Sequence, residues 1–321
     1  METNNSEKKV SIFRELVQPF IDLGKTSRPL LGLNISYVIE GLTYFGIVGL
    51  LALFFNEYIQ LNDIDAGRMV GFQTAGITIA MLFLGATVDW IGLRKALLIS
   101  IVFLFFGRML LTVSPGFGEA GLWGGPHMIS FVGIMGIIIG YGIYQPAAYA
   151  GVKMLTNSKT SAMGYAMLYA LMNLGGFLPG LISPPVRKHF NTIEVGGKPF
   201  GINAVFWLYT ILTIVGFAVI AIFITKKALA EAIARAQAEE PNKEILEKEE
   251  EEEKQKLSAV EKLKFYLKNF PITDARFMFF IFILIPVQTL FAHNWLTLPQ
   301  YTSRAFDGFI GDNFEFFVNL N

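Results

Sequence analysis

The chain alternates long apolar runs with short polar connections. About 20 apolar residues suffice to cross a bilayer as a helix, and roughly seven such runs stand at 29–55, 68–88, 93–113, 128–155, 162–182, 203–225 and 277–301. Hydrocarbon offers no partner to backbone N–H and C=O groups, so each run is expected to satisfy its own as a helix. Ahead of the first run, Phe13, Leu16, Val17, Phe20 and Ile21 recur at helical spacing opposite Arg14, Glu15 and Gln18. That predicts a short helix lying in the membrane interface. Residues 226–268 break the pattern: they are Ala-rich up to Pro241, then carry Glu249 to Glu253 between lysines, with no apolar stripe wide enough to bury. They read as a solvated helical linker laced with i,i+4 charge pairs.

The expected organisation is therefore a cytoplasmic tail (1–28), a six-span bundle (29–225), a charged cytoplasmic linker (226–270), and a seventh span opening a second bundle (271–321). Composition agrees with a membrane setting. The chain is 53% hydrophobic and 16% charged, with mean hydropathy +0.49, against roughly 25% charged residues in soluble domains. Lys8, Lys9, Arg14, Lys25 and Arg28 precede the first run, Arg94 and Lys95 fill the second connection, Lys153 and Lys159 the fourth, and Lys226 and Lys227 open the sixth. The first connection carries Glu57, Asp63 and Asp65, with Arg68 at its far end, and the third has no Lys or Arg. This bias puts the N-terminus in the cytoplasm, against Arg187, Lys188 and Lys198 in the fifth connection.

Several function classes fall away. With no Cys there is no disulfide framework, thiolate metal site or thiol nucleophile. His127, His189 and His293 sit on separate segments without H-E-x-x-H or G-x-S-x-G, so no enzyme, metal site or cofactor is expected. No basic patch is large enough for nucleic acid.

The chemistry is concentrated in polar residues inside the runs. A charge at a helix centre costs about 2.5–3.5 kcal/mol on the insertion scale, so Glu40, in the middle of the first run, is a functional candidate by default. Tyr37, Glu40 and Tyr44 share one helix face, as do Tyr141, Gln145 and Tyr149 on the fourth run and Tyr165, Tyr169 and Asn173 on the fifth. Three such stripes are expected to face a shared aqueous cavity holding a small polar or zwitterionic solute. Arg108, in the outer part of the third run, has two readings: an ion pair with Glu40 or Glu57, or a snorkel to headgroups. Gly133, Gly136 and Gly140 read as a close helix-packing face.

The second connection runs Gly85-Ala-Thr-Val-Asp89-Trp-Ile-Gly92-Leu-Arg94-Lys95. Its Asp, Arg and Lys can pair with one another, with a helix end or with anionic headgroups. The G-x-x-x-D-x-x-G-x-R-K spacing resembles the loop between the second and third spans of major facilitator superfamily transporters. Gly140-Tyr-Gly-Ile-Tyr-Gln145-Pro146 is similar to the fourth-span G-x-G-x-x-K-P-N of proton-dependent oligopeptide transporters. Tyr169 to Gly175 and Glu40 to Gly46 are similar to that family's fifth- and first-span motifs. Here Tyr37, Gly41 and Gln145 stand where the family has Glu, Arg and Lys.

The resemblance implies an all-α membrane protein: a six-helix N-terminal bundle, the charged linker, and the first helix of a C-terminal bundle. The rest of that second bundle is then expected from the same full-length chain. It implies alternating access driven by an ion gradient, with Glu40 loading and releasing a proton, short peptides among the candidate solutes, and Gly85, Asp89, Gly92, Arg94 and Lys95 latching one conformation. It also implies a multi-pass location in a bacterial inner membrane. A nutrient sensor built on a transporter body, or an exporter of unrelated small molecules, is the alternative. Because Gly41 and Gln145 replace basic residues, Glu40 is expected to lack the family's Arg and Lys partners.

Overall fold

The computed structural model describes residues 26–158, 160–195, 197–238, 274–314 and 316. The interfacial helix expected over 10–21 and the acidic part of the linker lie outside them. Among the described residues, six helices are long and apolar enough to cross a membrane: α1 (Arg28–Glu57), α2 (Asp63–Leu84), α4 (Leu93–Val113, continued by a 3-10 turn at Ser114–Gly116), α5 (Gly125–Leu155), α6 (Ser161–Phe190) and α7 (Gly201–Phe223). A short α3 (Thr87–Ile91) forms the tight link between α2 and α4, and a two-residue hairpin, β1 (Glu194–Val195) with β2 (Lys198–Pro199), joins α6 to α7. After α7 come α8 (Lys226–Ala238), α9 (Ala275–Leu296), α10 (Leu298–Ala305) and α11 (Gly308–Asp312).

Besides α2, which runs Asp63–Leu84 where the sequence reading has 68–88, two boundaries differ. The fifth run is expected to end at residue 182, yet α6 continues through Pro184 and Pro185 to Phe190. Prolines remove amide donors but membrane helices tolerate them, and Arg187, Lys188 and His189 in the last turn suit the negative end of the helix dipole. The last run is expected to be continuous over 277–301. Instead α9 ends at Leu296, Thr297 bridges, and α10 restarts with Pro299 in its first turn, where a missing N–H costs nothing.

Helix α1 sits at the centre, buried along most of its length, chiefly by α6 and α7 and less extensively by α2 and α5. Glycines set the closest approaches. A methyl group on Gly107 of α4 would lie 2.6 Å from the Gly133 carbonyl oxygen of α5, and one on Gly136 would lie 3.0 Å from Gly107 Cα. Gly41 of α1 meets α6 in the same way: a methyl there would be 3.0 Å from the Met172 carbonyl oxygen and 3.3 Å from Gly175 Cα. Such small-residue seams let backbones touch where lipid supplies no hydrophobic drive. At the end of the bundle where α1 finishes, α10 is tied to its neighbours. Gln300 Nε2 donates to Asn56 Oδ1 at 2.6 Å, and the Arg304 guanidinium meets the Asp63 carboxylate at 2.8 and 3.0 Å.

A charged cluster inside the bundle as candidate functional site

Glu40 of α1 and Arg108 of α4 are each 1% exposed and pair side by side: Nη2 to Oε2 at 2.8 Å and Nη1 to Oε1 at 3.2 Å. This two-pronged geometry is the strong form of the guanidinium–carboxylate bond. Neighbouring helices satisfy the rest. Arg108 Nη1 donates to Thr213 Oγ1 of α7 at 2.5 Å, and Nη2 donates to the Tyr141 hydroxyl of α5 at 2.6 Å. The Tyr141 hydroxyl in turn donates a hydrogen bond to Glu40 Oε2 at 3.1 Å, so it bridges cation and anion. Thr213 is anchored in turn, donating to the Tyr209 carbonyl at 2.9 Å. Four helices thus converge on two opposite charges that cancel locally. Breaking such a pair by removing one member costs about 3–5 kcal/mol, because the other is left alone in a low dielectric.

One to two turns away lies a tyrosine layer. The Tyr37 hydroxyl donates to Gln145 Oε1 at 2.5 Å, while its ring stacks on Tyr144 with centroids 6.0 Å apart. Tyr144 shares a hydrogen bond with Ser36 at 2.8 Å. Tyr44 meets Tyr141 edge-on at 5.0 Å.

The three expected stripes therefore divide by depth. Tyr37, Glu40 and Tyr141 are enclosed inside the bundle, so the expectation that these three face an open cavity is corrected here. Tyr44, Gln145 and Tyr165 are half-buried. Tyr149, stacked on Tyr165 at 5.9 Å, is exposed, as are Tyr169 and Asn173, whose side chain donates back to the Tyr169 carbonyl at 2.9 Å.

Of the two readings of Arg108, the structure shows the ion pair with Glu40. Positions 41 and 145 supply no basic group, as expected, and Gly41 permits the contact with α6. Thr213, Tyr144 and Ser36 were not legible as participants. A lone Thr in an apolar helix is most simply read as bonding its own backbone, which Thr213 also does. Tyr144 lies one position off the expected stripe.

The linking loop has its own geometry. Gly85 caps α2, and Gly92 turns the chain into α4 with φ +81° and ψ 154°, a conformation open essentially to glycine. Asp89 is exposed in the first turn of α3 and pairs with neither Arg94 nor Lys95. Arg94 is half-buried with its Nε unpartnered. Among the described residues, no group of three or more His, Asp or Glu is placed to hold a metal ion.

These features define an integral multi-pass membrane protein with a charge-bearing helical bundle. Residues 33–308 match the sequence model of the Major Facilitator Superfamily. The chain belongs to that superfamily. Similar solved structures include tetrameric PepTSo2 (20% identity, TM-score 0.61, covering 90% of this chain and 67% of that one). The peptide transporter POT in complex with sulfate is another (16% identity, TM-score 0.63, covering 92% and 65%). A third is a bacterial homologue of the human drug peptide transporters PepT1 and PepT2 (20% identity, TM-score 0.54, covering 65% and 48%). At these identities the likeness is one of fold, and the chain spans about half to two thirds of the length of those proteins. No curated protein matches the sequence.

Proposed function

We propose that this bundle forms one wall of the solute path in a secondary active transporter that works by alternating access, coupled to protons. The observation that carries the reading is the enclosed Glu40–Arg108 pair. An apolar bundle gains nothing in stability from such a pair over well-packed aliphatic side chains, so the pair reads as functional. Protonating Glu40 removes the charge that holds Arg108 and leaves a buried cation alone. The bundle then relaxes towards an arrangement in which Arg108 finds water or an anionic group of the solute. Proton arrival and helix rearrangement thus become one event, which is what ion-driven alternating access requires.

Tyr149, Tyr169 and Asn173, on the open side, supply rings and hydrogen-bonding groups for a small polar or zwitterionic solute, short peptides included. The orientation follows from the shared end of Arg28, Lys95, Lys153 and Lys226, which belongs in the cytoplasm. The test is uptake of a labelled dipeptide by the full-length protein in proteoliposomes under an imposed pH gradient. Glu40→Gln should abolish gradient-driven accumulation and spare exchange; accumulation at the native rate overturns the proton role of Glu40.

A further inference from the structure

At the end of the bundle where α1 begins and α7 finishes lies a cleft of about 340 Å³ that the transport reading does not use. Its walls are Ser27 and Arg28 at the head of α1, Thr225 in the link after α7, and Lys227, Glu231 and Arg235 of α8. The last three recur every fourth residue, so one face of α8 presents them to the cleft. Glu231 lies between two cations without forming an ion pair with either, and the three cations Arg28, Lys227 and Arg235 outweigh this one carboxylate, which leaves the cleft a net charge of plus two.

Arg28 is fixed in place: Nη2 donates to the Ile222 carbonyl at 3.0 Å, and the guanidinium sits 5.8 Å from the Phe223 ring centre. The Ser27 hydroxyl is shielded from solvent and has no hydrogen-bond partner. The first amides of α8 are already capped, Ala228 N–H by Thr225 Oγ1 at 3.3 Å and Leu229 N–H by the Thr225 carbonyl at 2.9 Å. Side-chain cations, not the helix end, give the cleft its character.

Its depth in the membrane follows from the chain. Helix α7, with 23 residues, is close to the length that crosses the hydrocarbon layer, and Thr225 lies two residues past its end, so the cleft stands where hydrocarbon gives way to headgroups. We infer that the cleft binds a phosphate group, and specifically the headgroup phosphate of an anionic phospholipid. Basic pockets between spanning helices at this level are suited to such groups. Lipid phosphates are concentrated there by the bilayer itself, whereas free phosphate must come from bulk water.

The experiment uses the full-length protein in detergent, with lipid retention read by native mass spectrometry. Dioleoylphosphatidylglycerol should be retained in preference to dioleoylphosphatidylcholine. Each surface cation contributes about fivefold to such binding, so Lys227→Gln with Arg235→Gln should weaken retention about 30-fold. Glu231→Gln should strengthen it about fivefold, a gain that no folding defect produces. Inorganic phosphate at millimolar concentration is the competing arm. Retention of the lipid against it supports the headgroup assignment; its displacement overturns that assignment in favour of free phosphate. Equal retention of both lipids, or affinities that none of the three substitutions moves, overturns the site.

Discussion

Gly107 and Gly133 bring α4 and α5 into backbone contact: a methyl group on Gly133 would lie 2.7 Å from the Gly107 carbonyl oxygen. This contact sits one residue from Arg108 and fixes the distance between the guanidinium on α4 and Tyr141, two turns along α5. Gly107→Val should therefore cost about 1–3 kcal/mol or more through overpacking, read as a lower unfolding temperature in detergent. Gly67→Ala and Gly71→Ala, where a methyl group meets open space, should leave that temperature unchanged or raise it. Equal losses at all three positions would mean that the seam is not where α4 and α5 touch.

The ion pair should behave as a unit. Arg108→Gln alone leaves Glu40 buried without its partner, at a cost of about 3–5 kcal/mol, and Glu40→Gln alone does the converse. The double substitution removes both charges and should recover most of that loss. A double-mutant cycle on unfolding free energies checks this; strictly additive losses would show that the two side chains do not share an energy.

The hairpin joining α6 to α7 is stapled to the end of α1. The Tyr58 hydroxyl donates to the Pro199 carbonyl, and Lys198 Nζ donates to the Tyr58 carbonyl at 2.6 Å. Burial pushes the Tyr58 phenol from 10.0 up to about 12, opposed by backbone hydrogen bonds and reinforced by the Glu57 charge. A phenol whose value is higher in the fold contributes fully below pH 10 and loses that contribution as pH rises towards 12. Lys198 works the other way. Burial lowers its value from 10.5, so its folded form gains on the unfolded chain as pH rises, until both are deprotonated above 10.5. The stability advantage of the native protein over Tyr58→Phe should accordingly shrink between pH 10 and 12. A constant difference across that interval would remove Tyr58 as the titrating group.

Gly92 has open space around it but φ +81°, so the penalty for a side chain there is conformational rather than steric crowding. Because φ +81° is combined with ψ 154°, a region open essentially to glycine, Gly92→Ala and Gly92→Asn should both cost about 1–3 kcal/mol. A variant of either kind that unfolds at the native temperature would contradict this.

Hydropathy located the six long helices well, since backbone in hydrocarbon has few other options. It read α6 too short because Pro184 and Pro185 look like a terminus, and it read 277–301 as one helix because Pro299 lies in an apolar context. Helical spacing identified which polar residues share a face, but not which way each face turns. In a helix that is apolar all round, no soluble-type amphipathic pattern points inward. Hence Glu40 and Tyr141 could be flagged while their enclosure could not. The choice between an ion pair and a snorkel for Arg108 needed the third dimension, since its partner lies 68 positions away.

Helices α1, α5 and α6 are 30, 31 and 30 residues long. At 1.5 Å per residue each measures about 45 Å, against a hydrocarbon layer about 30 Å thick. They must lean steeply or stand proud of the layer, whereas the 22 residues of α2 nearly match it. A change of a few ångströms in bilayer thickness then acts unequally on the long and short members of one bundle. Membrane thickness becomes a force that shears α2 against its longer neighbours, and the lipid bath takes a place among the variables that set the helix arrangement.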